Sequence, residues 1–407
     1  MYNFITSRYK TILICCFVVI TYVILFKFNG YDRTMKFLNI PIMYPHFADL
    51  RVITSGLETV KLGIDPLIDN PSDPWKRPLN YPRIWQYLSI FNINSNHTIA
   101  IGIFLIFLFF INVVIIYKKP NTKLIIIILL LLLSPTILLA LERGNIDIIM
   151  LFLITLSVIF INRNKFISVF FILTAFILKL FPIFGSALIL KFKEKKFKNY
   201  LLIIFLFSLA YTILTFSELK IIKLSTPEDW YNSYGMKVFI TYLKQTNITV
   251  FQKTYFIPYI LVTVILIISV ITLIKKRGLL FPEVILEDMN LDFFRVGASI
   301  FLGIFILGNN YSYRLIFLIL LIPQLYIWTE EKKSVLSKVS KLTIFLILVC
   351  LWFIYIEKYL VQLNSDWLLI LIIKDIFIWS LFGLLILLFI HTLPEWFKNK
   401  VFKQKDI

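Results

Sequence analysis

Long, uninterrupted apolar runs joined by short polar connections dominate the chain. Residues 11–28, 99–117 and 124–141 are each about as long as the roughly 17–25 residues a helix needs to cross a hydrocarbon core. The runs are continuous rather than alternating, so helices and not barrel strands do the spanning. Spans are predicted near 10–28, 97–117, 123–141, 146–161, 166–179, 182–191, 199–217, 254–274, 293–308, 312–328, 341–359 and 368–391. The expected fold is an all-α, polytopic transmembrane bundle of about twelve spans with a structured first outer loop.

Basic residues orient these spans. Arg163 and Lys165 precede the stretch ending at Lys191, and a lysine cluster follows it, so positive-inside bias puts both ends in the cytoplasm. The break needed for an even number of crossings is Leu180-Phe181-Pro182, because proline donates no amide and restrains the residue before it. A single long tilted helix is the alternative, and it would place the later lysine-rich connections outside. With the paired reading, both termini are cytoplasmic. The outward connections are 29–96, 142–145, the turn near 180, 218–253, 309–311 and 360–367. The organisation expected is a first transmembrane module over 1–217 that includes outer loop 29–96, a second outer loop over 218–253, and a C-terminal transmembrane module over 254–407.

Composition removes the soluble alternatives. The chain is 59% hydrophobic and 16% charged, where a soluble domain carries roughly 25% charged residues. Its formal net charge of +19 is spread over short connections. Lys191, Lys193, Lys195, Lys196 and Lys198 therefore read as anchors on anionic lipid and not as a nucleic-acid site. Cys15, Cys16 and Cys350 fall in spans, and His46, His97 and His391 lack ligand spacing, so no disulfide frame, metal or cofactor is expected. The first apolar run follows Arg8 and Lys10 without a small-residue cleavage site, and reads as an uncleaved first span.

The first outer loop carries the polar chemistry. Leu50, Ile53, Leu57 and Val60 recur at helical spacing and Gly63 can end the helix, which predicts a short amphipathic helix at the membrane surface with Asp49 at its start. By position alone Asp49 is an N-cap. A stretch stiffened by Pro66, Pro71, Pro74, Pro78 and Pro82 follows, with Trp75, Tyr81 and Trp85 able to form the wall of an interfacial cavity or an ordinary aromatic belt.

Several motifs resemble, in order and spacing, the GT-C superfamily of membrane glycosyltransferases, and most closely its polyprenol-phosphate mannosyltransferase branch. They are Asp49 soon after the first span, Gly63-Ile64-Asp65-Pro66-Leu67, Asn80-Tyr81-Pro82, Glu142-Arg143-Gly144-Asn145-Ile146-Asp147 and Lys179-Leu180-Phe181-Pro182. They cover about the first half of the chain; the second half adds only Asn309-Asn310-Tyr311-Ser312-Tyr313-Arg314. Where the branch often has Tyr-Pro-Pro, Arg83 follows Tyr81-Pro82 here. The resemblance implies a polyprenyl-phosphate-linked sugar as donor, a lipid or glycan as acceptor, and transfer at the outer face of a bacterial inner membrane. It also implies that an acid of the first outer loop, here Asp49, is the base.

The residue chemistry is compatible with that role. Inverting transfer needs a carboxylate to take the acceptor's proton while a lipid phosphate departs, and the departing charge needs cations. Asp49 is the first candidate base and Glu142 the second, with Asp32 and Glu58 behind them. Lys179, Arg143 and Arg314 stand at predicted outer helix ends and are candidates to hold the phosphate. Pairing of Arg143 with Glu142 or Asp147, and snorkelling of Arg314, are the structural alternatives. Asn145, Asp147, Tyr81 and Asn310 are candidates for sugar or acceptor contacts, and Lys374 with Asp375 reads as a neutralising pair within the last span. A transporter or flippase is the rival class. The small number of glycines, 12, and the lack of a visible repeat count against it.

Overall fold

The computed structural model describes residues 2–246, 288–331, 334–363 and 366–402. The span expected at 254–274 lies outside the described residues. The described residues are mainly helical, with loops between the helices and one short strand pair. Its helices are α1 (Tyr2–Asn29), α2 (Tyr31–Phe37), α3 (Ala48–Lys61), α4 (Thr98–Ile116), α5 (Thr122–Leu132), α6 (Pro135–Glu142), α7 (Asp147–Phe160) and α8 (Lys165–Leu178). They continue with α9 (Glu194–Leu214), α10 (Phe216–Ser225), α11 (Val238–Gln245), α12 (Met289–Leu307), α13 (Ile322–Thr329), α14 (Val335–Leu363), α15 (Trp367–His391) and α16 (Glu395–Phe402).

Among the described residues, 6 helices are long and apolar enough to cross a membrane, or up to 8 if two bent pairs each count as one span. The chain is an integral membrane protein, and its described residues hold fewer full-length spans than their hydrophobic pattern suggests. Among the described residues the span expected at 182–191 is a run of tight turns over Phe181–Lys191, too short to cross, and two further physical features account for the rest of the difference. First, α7 and α8 have 14 residues each, and at 1.5 Å per residue reach about 21 Å against a core of roughly 30 Å. Second, the run expected as one span near 123–141 bends by 50° between α5 and α6. There Ser134 caps α6 and Pro135 occupies its first position, where the missing amide costs nothing. A similar 54° bend separates the turns of Ser312–Leu320 from α13, which carries Pro323 in its first turn. The break expected near Leu180 is present: α8 ends at Leu178, and tight turns over Phe181–Lys191 follow.

The chain divides into two compact units, Met1–Ile183 with Leu202–Pro227, and Phe184–Leu201 with Glu228–Ile407. In the first, α4 packs on α1 and α7, and α7 on α8. The connection from α1 to α4 folds over them. Helix α3 does not lie amphipathically on a surface as its stripe suggested. Leu50, Ile53 and Leu57 are buried as expected, but so are Arg51, Val52, Thr54, Ser55 and Thr59 on its other faces. The proline-rich return covers it: Thr59 donates to Asn70 at 2.7 Å, Gly56 faces Pro66 and Leu79, and Thr54 shares a hydrogen bond with Thr98 at 2.6 Å.

The second unit packs α12 against α15, and α14 against α13 and α15. Its buried charges pair internally. Lys191 does not point to lipid but turns inward to Asp292 at 2.6 Å, and Asp292 faces Arg295, whose guanidinium donates to the Thr392 carbonyl at 2.5 Å. Lys374 faces Glu357 of α14 as well as its sequence neighbour Asp375. Strands β1 (Ser233–Tyr234) and β2 (Asn310–Tyr311) pair antiparallel with Ser233 opposite Tyr311. Gly235 follows at φ 125°, and a side chain there would begin 1.8 Å from the Gly308 carbonyl oxygen. Gly235→Ala should therefore part this strand pair and cost roughly 2–4 kcal/mol, since strain and overpacking fall on one residue. The check is a lower thermal midpoint of the purified protein in detergent, where Met236→Ala next to it leaves the midpoint unchanged.

Candidate functional site

In the first unit the turn after α6 joins the first loop through the backbone. Phe47 adopts φ 60°, which swings the chain into α3 without a side-chain cap. The amides of Asp49 and Leu50 donate to the carbonyl of Arg143 at 3.0 and 3.3 Å. The orphan amides of the helix start are thus satisfied by main chain, and Asp49 is not the N-cap its position suggested. Two glycines make room for this join. A side chain at Gly102 would meet the Phe47 ring at 2.5 Å, and Gly144 has φ +58° and lies against Phe47 and Leu50.

The Asp49 carboxylate is released to face the same turn, where Asn145 donates to its Oδ2 at 2.6 Å. The Asn145 Oδ1 accepts the Asp147 amide at 2.9 Å, and the Asp147 carboxylate pairs with Lys179 at 2.6 Å. The Lys179 ammonium lies 5.1 Å from the centre of the Tyr81 ring. Arg143 pairs with Glu142 at 3.2 Å and donates to the Pro41 carbonyl at 2.8 Å. Seven of the residues expected to carry the chemistry, Asp49, Tyr81, Glu142, Arg143, Asn145, Asp147 and Lys179, are therefore held on one loop, one turn and one helix end.

The other two, Arg314 and Asn310, belong to the second unit. They bond to each other at 2.7 Å, and the Asn310 amide donates to the Ile304 carbonyl at 2.7 Å. The secondary acids are occupied elsewhere: Glu58 accepts from the Ser95 hydroxyl at 2.7 Å, and Asp32 accepts from the Tyr44 hydroxyl.

Arg77, which lies outside the sequence motifs, also belongs to the site. Arg77 grips Asp73 with two nitrogens, at 3.1 and 3.0 Å, donates to the Ala48 carbonyl at 2.7 Å and lies 4.4 Å from the Trp75 ring centre. The signal for it was the four-residue spacing of Asp73 and Arg77, easily passed over in a proline-rich loop. Burial pushes the Asp49 carboxyl above its ordinary range, while Arg143, the Asn145 hydrogen bond, Arg77 and Lys179 pull the other way.

Beside the turn lies a cavity of about 430 Å³ whose walls are almost wholly apolar. Val19, Tyr22 and Phe26 of α1 and Ile99 and Ile103 of α4 form its sides, and His46, Phe47 and Glu142 bring it to the polar cluster. Among the described residues no group of three or more His, Cys, Asp or Glu side chains is placed to hold a metal ion. No family model, no curated protein and no solved structure matches this chain.

The Lys179–Asp147 pair, with side chains 11% and 0% exposed, is a sharp test of the geometry. Lys179→Met leaves a buried carboxylate facing no ammonium and should cost roughly 3–5 kcal/mol. Removing both charges in Asp147→Asn/Lys179→Met should recover most of the thermal midpoint. A double variant no more stable than Lys179→Met would show that the pair is not as placed.

Proposed function

We propose that the protein is a membrane glycosyltransferase of GT-C type. It moves a hexose or similar sugar from a polyprenyl-phosphate donor to a lipid or glycan acceptor at the outer face of a bacterial inner membrane, with both termini cytoplasmic. The observation that carries the reading is the half-buried Asp49 carboxylate, set among Arg143, Lys179 and Arg77 next to an apolar cavity. An apolar cavity suits an isoprenoid chain, the cations suit the phosphate at its end, and the carboxylate suits the hydroxyl that attacks.

In this reading the acceptor hydroxyl hydrogen-bonds to Asp49. Its oxygen forms a bond to the anomeric carbon as the bond from that carbon to the phosphate oxygen breaks, and its proton passes to Asp49. The donor phosphodiester, with one negative charge, leaves as a polyprenyl phosphate monoester with two. Arg143 and Lys179 face the charge that develops. Asn145 holds the carboxylate in register through its 2.6 Å hydrogen bond. Glu142, which lines the cavity, pairs with the Arg143 guanidinium, and Tyr81 backs Lys179. The aromatic side of the loop receives the acceptor.

The experiment is sugar transfer from a panel of polyprenyl-phosphate sugars by purified, reconstituted protein. Asp49→Asn should lower the rate roughly 10²–10⁴-fold while the donor still binds. The base must be ionised, and Asp49 titrates above its ordinary range. The transfer rate should therefore rise with pH through a midpoint above the usual carboxylate value of about 3.9, and the residual rate of Asp49→Asn should lack that limb. The same limb in Asp49→Asn would move the base to Glu142, and no donor binding by the parent would defeat the reading in favour of transport.

A further inference from the structure

The strap Tyr81-Pro82-Arg83-Ile84-Trp85 is tied to its surroundings by ring and polar contacts. The Tyr81 ring lies 5.1 Å from the Lys179 ammonium, and the Trp85 indole donates to the Leu178 carbonyl at 3.0 Å, so both of its ends press on the end of α8. Between them Arg83 reaches the other way. Its guanidinium grips Asp65 with two hydrogen bonds, 3.0 and 2.5 Å, its amide donates to the Glu218 carboxylate of α10 at 2.8 Å, and its Nε lies 4.0 Å from the same carboxylate.

We infer that Arg83 is a positioning residue: by clamping the strap between Asp65 and Glu218 it holds Tyr81 over Lys179, and so sets the affinity of the site for a lipid phosphate. What Lys179 binds rests on the proposed function; that Arg83 governs the cover over Lys179 does not. Arg83 reaches no reacting group and acts through Tyr81.

The identity of residue 83 is what makes the clamp. Proline at this position would supply neither the amide that meets Glu218 nor the guanidinium that meets Asp65. A single exposed ion pair contributes little, and the Arg83 side chain is 40% exposed. Here, however, one residue makes a two-point contact to one carboxylate and a backbone contact to another, which adds direction as well as energy. The Asp65 carboxylate is fixed in turn by the Leu67 amide at 3.1 Å. Lys179 is only 11% exposed with the strap in place.

Two measurements test this. The first needs no substrate. In a background with Cys15, Cys16 and Cys350 replaced by serine and Asp147 by asparagine, so that no buried carboxylate loses its ammonium, Lys179→Cys is labelled with a water-soluble maleimide. Adding Arg83→Ala should raise the labelling rate about tenfold, as expected for a covered site made locally open. The charge-reversed pair Asp65→Arg/Arg83→Asp should bring the rate back toward the parent, where Arg83→Asp alone does not. The second keeps Lys179 and measures binding of a long-chain polyprenyl phosphate in detergent micelles. Arg83→Ala should weaken it about tenfold with the thermal midpoint unchanged, and the charge-reversed pair should recover part of the loss.

Labelling that does not respond to Arg83→Ala overturns the inference whatever the lipid does. Faster labelling with unchanged lipid affinity overturns the link from strap to phosphate. Faster labelling in a protein whose parent form binds no lipid phosphate upholds the clamp and sinks the glycosyltransferase reading instead.

Discussion

The carbonyl of Arg143 accepts two amides from the start of α3, and the geometry of the first unit follows from that contact. A helix entering a buried site brings unsatisfied amides with it, and a side-chain acceptor is the usual remedy. Here the main chain of the turn after α6 supplies the acceptor. The loop is welded to a fixed turn between apolar helices, and Asp49, one residue inside the helix, is left with its carboxylate free to face Asn145. Phe47 at φ 60° and the glycines at 102 and 144 are what the weld requires of its neighbours.

Charge at this depth is tolerable because it is paired. Arg143 has Glu142, Lys179 has Asp147, and Arg77 has Asp73. An unpaired buried ion costs several kcal/mol, so such pairs contribute less by attraction than by averting that loss. They also hold three cations around one carboxylate whose own burial favours its neutral form. In the proposed reaction the same arrangement suits a proton arriving on Asp49 as negative charge grows on the phosphate, since the two changes offset each other in a poorly solvated place. The second unit treats its charges the same way, with Lys191, Asp292 and Arg295 closing on one another.

Much of this was legible from residue order. Lipid leaves no water to satisfy the backbone, so long apolar runs must be helices, and α1, α4, α12, α14 and α15 stand where the runs lie. The stripe Leu50, Ile53, Leu57 and the stop at Gly63 marked α3, and Leu180-Phe181-Pro182 marked the break after α8. The motifs around Asp49, Glu142 and Lys179 were visible as polar residues at helix ends, where their cost demands a reason.

What only the tertiary structure decided is which of these residues meet, and hence how each is used. A period of 3.6 residues identifies the face of a helix that is buried but not what covers the other faces. The return loop over α3 and the inward turn of Lys191 were for that reason out of reach. Apolar length does not report a bend, so Ser134-Pro135 split a run that read as one span. Nothing in the sequence around Arg77 and Arg83 names Ala48, Asp65 and Glu218 as their partners. By itself the sequence determined the helices, the membrane and the identity of the ionisable groups, because these follow from local solvation and local hydrogen bonding. Which carboxylate caps a helix and which is left to face another side chain depends on contacts such as that between Asp49 and Asn145, 96 residues apart, and no local property of the chain records a partner that far away.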